Sequence, residues 1–117
     1  MELLTHLENE CYHIALKGDL DASSSLLLDD ALERAIAYLP RQVYVDCHGL
    51  SYISSAGLGV FISHLQNLTE GNISLTLYQM SPKVRDVFQL MGLDLFLTIL
   101  PCHPDVPSLP QTGSLSL

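Results

Sequence analysis

Basic residues are scarce in this 117-residue chain: five lysines and arginines are opposed by thirteen aspartates and glutamates, for a formal net charge of −8. Binding to a nucleic-acid backbone or to an anionic membrane surface needs basic patches, so this balance argues against both kinds of partner. No apolar run approaches the roughly 18 residues of a membrane span. The acidic start lacks the basic region and apolar core of a signal peptide, so we expect a cytoplasmic protein.

Disulfide and metal-ligand patterns are also missing. Cys11, Cys47 and Cys102 are an odd set without CxxC spacing, which favours free thiols, the first two as small core residues of strands. None of the five histidines has HExxH or other paired ligand spacing. Only Cys102 and His103 are adjacent. The sequence therefore predicts no metal site and no cofactor.

Hydrophobic periodicity predicts strands and helices in alternation. Alternating or continuous apolar residues predict strands at 2–7, 11–18, 42–49, 72–80 and 95–100. Apolar residues at helical spacing predict helices at about 21–38, 54–70 and 81–91. Together these elements predict one α/β domain over residues 1–100, with a mixed sheet and helices mainly on one face.

The first two predicted helices each have an apolar stripe that we expect to face the core. In the first helix the stripe is Leu28, Leu32, Ala35, Ile36 and Leu39. In the second helix it is Leu58, Phe61, Ile62, Leu65 and Leu68. Residues 18–21 are expected to form a turn, after which Asp21 or Ser23 caps the first helix.

Prolines recur at every third position after the last predicted strand, from Pro101 to Pro110. This spacing places prolines on one face of a polyproline II helix, as in PxxP ligands. We predict that residues 101–117 form a Pro-rich flexible C-terminal tail.

Two adjacent serines, Ser54 and Ser55, lie where the central strand meets the second helix, in "LSYISSAGLGV". A G-x-S-x-G nucleophile would need glycine two positions before Ser55, where Ile53 stands. The histidines that follow lie in the same helix or in the tail, which argues against a hydrolase. The absence of a GK[ST] sequence argues against a nucleotide phosphate loop.

Capping is the simplest interpretation of the first serine, whose side chain would accept a hydrogen bond from the N–H of Ala56 or Gly57. Gly57 and Gly59 need another explanation, because each glycine in a helix costs about 1 kcal/mol relative to alanine. We expect either another element of the chain or a partner to approach the backbone closely there.

The segment "VYVDCHGLSYISSAGLGVF" resembles the signature of the STAS domain, and specifically that of bacterial anti-sigma-factor antagonists. "LKGDLDASS" is similar to that family's turn before the first helix. "MSPKVRDVFQLMGLDLFLTI" is similar to its last helix and closing strand. The resemblance covers residues 2–100 in the family's order and implies a single STAS-type domain.

The resemblance implies a protein-binding regulator of transcription and not an enzyme. Such an antagonist binds an anti-sigma factor, often also a GHKL-type serine kinase, and frees a sigma factor by partner switching. Phosphorylation of a serine at the helix start releases the partner until a serine phosphatase reverses it. By position the implied phosphorylation site is Ser55, with Ser54 as the alternative. The implied partner-binding residues are Asp21, Ser54, Ser55, Ala56, Gly57, Leu58 and Gly59.

Ser54 stands where this family usually has aspartate, and two alternatives stay open, the first because of this difference and the second because of acidic residues at the ends of strands. Serine caps a helix as well as aspartate does, but it lacks the negative charge and adds a second hydroxyl. One alternative is therefore a non-phosphorylated STAS docking subunit of a larger sensory or transport assembly. The other is an enzyme that holds Mg²⁺ with Asp19, Asp21 and Asp46 at the ends of strands.

Overall fold

Strands and helices alternate as predicted in the computed structural model of the protein, which describes residues 1–102. The strands are β1 (Glu2–Glu8), β2 (Cys11–Leu20), β3 (Gln42–Ile53), β4 (Ser74–Tyr78) and β5 (Thr98–Leu100). The helices are α1 (Ser25–Ala37), α2 (Ser55–Glu70) and α3 (Pro82–Leu90), and a short 3-10 turn spans Leu93–Leu95. All but the first two residues of the predicted tail lie outside the described residues.

The five strands form one mixed sheet in the order β1-β2-β3-β4-β5. β1 pairs with β2 antiparallel, and every later pair is parallel. Each parallel connection moves one strand further in the same direction, and such connections are right-handed. All three helices therefore cover one face of the sheet, as predicted, and leave a helix-free face.

The core lies between the helices and the sheet. In β2, Tyr12, Ile14 and Leu16 are buried, as the alternating pattern predicts. Cys47 in β3 is also buried, and burial raises the pKa of its thiol to about 12. The prediction that Cys11 is a core residue is wrong, because alternation in β2 places it on the helix-free face, where it is half-buried.

The predicted turn at 18–21 is wrong, because β2 continues through it to Leu20. Gly18 has the positive φ of a turn residue (106°), but here it lies beside an irregularity in the pairing with β3. β3 is likewise longer than predicted, and its last residue, Ile53, pairs with Leu20. This extension brings the ends of both strands to one edge of the sheet.

Two residues of the predicted apolar stripes are exposed. Leu39 follows the end of α1 in a left-handed conformation (φ 51°) and is 69% exposed. Ile62 in α2 is 47% exposed, and His64 is buried in α2 instead. His64 Nε2 lies 2.8 Å from Oδ1 of Asp29 in α1, so a polar pair stands where the pattern predicted an apolar contact.

Candidate functional site

The candidate site lies at the edge where β2 and β3 end. The backbone N–H of Ser54 donates to the carbonyl of Leu20 at 2.9 Å, which holds the start of α2 beside the end of β2. Asp21, the next residue after Leu20, lies at the same edge. Residues far apart in sequence, at the two strand-to-helix junctions, therefore form one surface.

The two serines differ in structure. Ser54 is the N-cap of α2, and its hydroxyl accepts a hydrogen bond from the N–H of Gly57 at 3.3 Å, one of the two donors predicted. Ser55 is the first residue of α2 and is exposed. Among residues 1–102 no hydrogen bond involves the Ser55 hydroxyl. Ser54 therefore has a structural role, whereas Ser55 is an exposed residue at a helix N-terminus.

The two glycines also differ. A Cβ atom on Gly57 would lie 2.7 Å from Cγ and 2.9 Å from Cδ2 of Leu20, which is fully buried. Gly57 thus allows α2 to approach the end of β2 closely. A Cβ atom on Gly59 would meet nothing within 4 Å. Internal packing therefore explains the presence of Gly57, whereas Gly59 has open space beside it at the surface.

The carboxylate of Asp21 organises the turn before α1. Its Oδ1 accepts hydrogen bonds from the N–H groups of Ser23 (3.1 Å) and Ser24 (3.0 Å) and from both of their hydroxyls. These bonds, led by that from the Ser24 N–H, lower the pKa of Asp21 to about 2. The prediction that Asp21 or Ser23 caps the first helix is wrong, because the N-cap of α1 is Ser24. Asp21 instead organises the turn before the helix and is a fixed negative charge at the site's edge.

The predicted partner-binding residues do not all reach the surface. Gly57 is buried, and Leu58 is only 4% exposed because its side chain belongs to the core. Gly57 and Leu58 are therefore not available for contact with another protein. The remaining five are at least partly exposed: Asp21, Ser54, Ser55, Ala56 and Gly59.

Ile62 adds a surface residue that sequence reasoning assigned to the core. Ser55, Gly59 and Ile62 follow each other at spacings of four and three residues, so they share one face of α2, and all three are exposed. We call these three residues the α2 strip. The helical spacing of Gly59 and Ile62 from Ser55 is the sequence signal that indicates this shared face. The high hydropathy of Ile62 led instead to its assignment to the core.

The enzymatic alternatives find no support in this geometry. His64 is nine residues after Ser55 in one helix, about 13 Å along its axis at 1.5 Å per residue, and it pairs with Asp29. Asp46 Oδ1 accepts a hydrogen bond from the N–H of His48 at 2.9 Å. Across the described part of the chain, Asp19, Asp21 and Asp46 do not converge into a group of potential metal ligands. Nor does any helix among these residues have the length and apolarity to cross a membrane.

Comparison with known proteins places this fold in a family. The STAS domain model matches residues 4–108. An anti-sigma-B factor antagonist of Staphylococcus aureus is 26% identical over 93 residues, covering 80% of this chain and 86% of that protein. BtrV of Bordetella bronchiseptica, provisionally named an anti-sigma factor antagonist, is 34% identical over 86 residues, covering 74% of this chain and 72% of its own.

The fold is also that of the anti-sigma factor antagonist SpoIIAA. Its unphosphorylated form is 20% identical, with a TM-score of 0.70 over 87% of this chain and 90% of that one. The phosphorylated form of the Bacillus protein is 23% identical, with a TM-score of 0.67 over 84% of this chain and 90% of that one. At this identity the likeness concerns the fold.

Proposed function

This chain belongs to the STAS domain family, and from that premise we propose that it is a cytoplasmic anti-sigma-factor antagonist. It binds an anti-sigma factor that is also a serine kinase, and so frees a sigma factor to direct transcription. Its activity is binding and not catalysis. The names of its relatives support this function, as does its net charge of −8, which suits a partner with basic groups.

Phosphorylation of Ser55 turns the binding off, with a serine phosphatase restoring it. The observation that carries this proposal is the exposed hydroxyl of Ser55 at the first position of α2. A phosphate adds about −1.5 to −2 charges at pH 7. The N-terminus of a helix favours such an anion, because its free N–H groups and dipole are positive. The domain therefore stays folded when it is modified.

The modified serine is Ser55 and not Ser54. The Ser54 hydroxyl caps α2 by accepting from the N–H of Gly57, and its side chain is half-buried. Transfer of a phosphate to this oxygen would remove the cap and crowd the helix start. Ser55 has neither constraint. Ser54 thus caps the helix, as the aspartate usual in this family would, but it lacks the negative charge of aspartate.

The partner packs against the α2 strip. Gly59 leaves open space beside Ser55, and Ile62 adds exposed apolar area one turn further along. A phosphate on Ser55 would place a strongly hydrated dianion inside this contact. A loss of about 1.4 kcal/mol there weakens binding tenfold, so a local change is enough for a switch.

A second function remains in view, namely a non-phosphorylated docking subunit of a larger sensory or transport assembly. The observation in its favour is Ser54, which removes the negative charge that this family usually has before the phosphorylated serine. Both functions use the α2 strip, but only the switch requires a kinase to act on Ser55.

Kinase labelling distinguishes the two functions. Wild type, Ser54→Ala and Ser55→Ala are incubated with the purified anti-sigma factor kinase and ATP, and phosphate is located by mass spectrometry. We expect labelling of wild type and of Ser54→Ala, and none of Ser55→Ala. Equal labelling of Ser55→Ala would refute the assignment, and no labelling of any protein by a partner that binds would favour the docking subunit.

A surface variant tests the binding face independently of phosphate. Gly59→Val fills the open space on the α2 strip, so it should weaken partner binding at least tenfold while the protein remains folded. Thr69→Val serves as the control, because Thr69 is an exposed residue in the last turn of the same helix. Normal binding of Gly59→Val would place the partner on another face.

A further inference from the structure

We propose that the β1–β2 hairpin binds a divalent transition-metal ion of the zinc class through His6, Glu8 and His13. The three residues lie on the helix-free face of the sheet. They belong to neither the core nor the surface around Ser55.

Strand pairing brings the three side chains together. His6 in β1 is the direct partner of His13 in β2, and Glu8 follows His6 by two residues on the same face. One potential ligand atom from each residue lies within 4.8 Å of the other two. His6 Nε2 is 3.6 Å from a carboxylate oxygen of Glu8, and the two imidazole rings stack with centroids 4.4 Å apart.

The ligand set suits zinc. Two imidazole nitrogens and one carboxylate oxygen, each about 2.0–2.2 Å from the ion, are donors that Zn²⁺ takes in proteins, with a fourth position left for water. Binding requires the ligand atoms to approach each other more closely than they do here and the rings to leave their stacked arrangement. The side chains of His6 and Glu8 are 62% and 63% exposed, so they are able to rotate without disturbing the core.

The hairpin turn fixes the two strands that provide the ligands. Asn9 and Glu10 connect β1 to β2, and both have positive φ, 52° and 66°. Two such residues form a type I′ turn, which matches the twist of the paired strands and sets their register. His6 and His13 therefore face each other before any ion arrives. The carboxylates of Glu8 and Glu10 make the hairpin tip attractive to a cation.

This site is independent of the proposed switch. β2 starts at the hairpin and ends at Leu20 beside Ser54, and Leu20 lies seven positions after His13, about 23 Å along the strand at 3.3 Å per residue. The sequence pattern did not reveal the site, because its ligands follow no known spacing and meet only through the hairpin. A bound ion would join the edge strand β1 to β2 and stabilise the sheet.

Calorimetric titration of the tag-free protein with Zn²⁺ tests the proposal. We expect one zinc site in wild type and at least a tenfold loss of zinc affinity in His6→Gln and in His13→Gln. Removing a group that only hydrogen-bonds to a metal ligand typically lowers metal affinity 10–100-fold, so removing a ligand itself should cost at least as much. His48→Gln is the matched control, because His48 is an exposed histidine of β3 outside the group. Mg²⁺ should not bind, because it requires oxygen ligands.

Thermal unfolding provides a second measurement. An ion that binds only the folded state raises Tm, so Zn²⁺ should raise the Tm of wild type and of His48→Gln but not that of His13→Gln. The Tm values without zinc show whether the variants fold. Wild-type affinity in His6→Gln and His13→Gln, or an equal loss in His48→Gln, would overturn the proposal and leave the histidines as a stacked pair.

Discussion

Replacing each glycine at the start of α2 by alanine should have opposite effects on stability. Both replacements gain helix propensity, up to about 1 kcal/mol. In Gly59→Ala the new methyl group meets no atom within 4 Å, so this variant should be more stable than wild type. In Gly57→Ala the methyl group would lie 2.7 Å from Cγ of Leu20 and 3.1 Å from Cγ1 of Ile53.

The methyl group of Gly57→Ala has no room to be accommodated cheaply. Leu20 is fully buried and Ile53 is 4% exposed, so neither is free to move into solvent. Overpacking of this kind costs typically 1–3 kcal/mol, and because the propensity gain is common to both variants, this range is the expected difference between them. For a domain of this size it corresponds to a difference in Tm of at least about 4 °C.

Urea unfolding of the two variants beside wild type measures the difference. The order of stability should be Gly59→Ala, then wild type, then Gly57→Ala. Equal stability of the two variants would contradict the close approach of α2 to β2 at Gly57. A destabilised Gly59→Ala would show that this residue is packed inside the protein and is not part of the exposed α2 strip.

Three further predictions concern single contacts. Asp29→Ala removes the hydrogen-bond partner of buried His64, whose other ring nitrogen, Nδ1, already has no hydrogen bond among the described residues. The free energy of unfolding should therefore fall by about 1–3 kcal/mol. Unchanged stability in urea unfolding would contradict the pairing of His64 with Asp29. Ser54→Ala loses the cap on the Gly57 N–H and should cost about 0.5–2 kcal/mol, whereas Ser54→Asp should retain wild-type stability in the same assay. In the native protein at pH 8, a thiol reagent should modify Cys11 and Cys102 and leave Cys47 unmodified until the chain unfolds. The reason is that burial raises the pKa of the Cys47 thiol to about 12. Rapid labelling of Cys47 would show that the core opens there.

The element order was predictable because the local signals are strong. Tyr12, Ile14 and Leu16 alternate cleanly with polar or small residues, and Ser81 with Pro82 marks the start of α3. The Ser81 hydroxyl does accept a hydrogen bond from the N–H of Val84, at 3.2 Å. Such signals depend on neighbours in sequence, so they can be recognised without knowledge of the tertiary structure.

Contacts between distant segments were not predictable from one sequence. The extension of β2 through Gly18 depends on its pairing with β3, and the burial of His64 depends on Asp29 in another helix. Hydropathy alone ranks Ile62 above His64 as a core residue, yet the polar pair is buried and the isoleucine is exposed.

The candidate site was predictable in location and only partly in detail. The resemblance to STAS domains indicated the serines and the glycines together, as one partner-binding segment. In the sequence Gly57 and Gly59 look alike, and only the position of Leu20 separates a packing residue from a surface residue. The Ser54 cap followed from local chemistry and is confirmed.

The affinity of phosphorylated protein for its anti-sigma factor is the most direct test of the proposed switch. Protein with phosphoserine installed at position 55 is compared with unmodified protein by calorimetric titration against one partner, and circular dichroism verifies that both are folded. We predict binding at least tenfold weaker for the phosphorylated form, with unfolding temperatures that differ little. Equal affinity of the two folded forms would contradict the switch and favour the docking subunit.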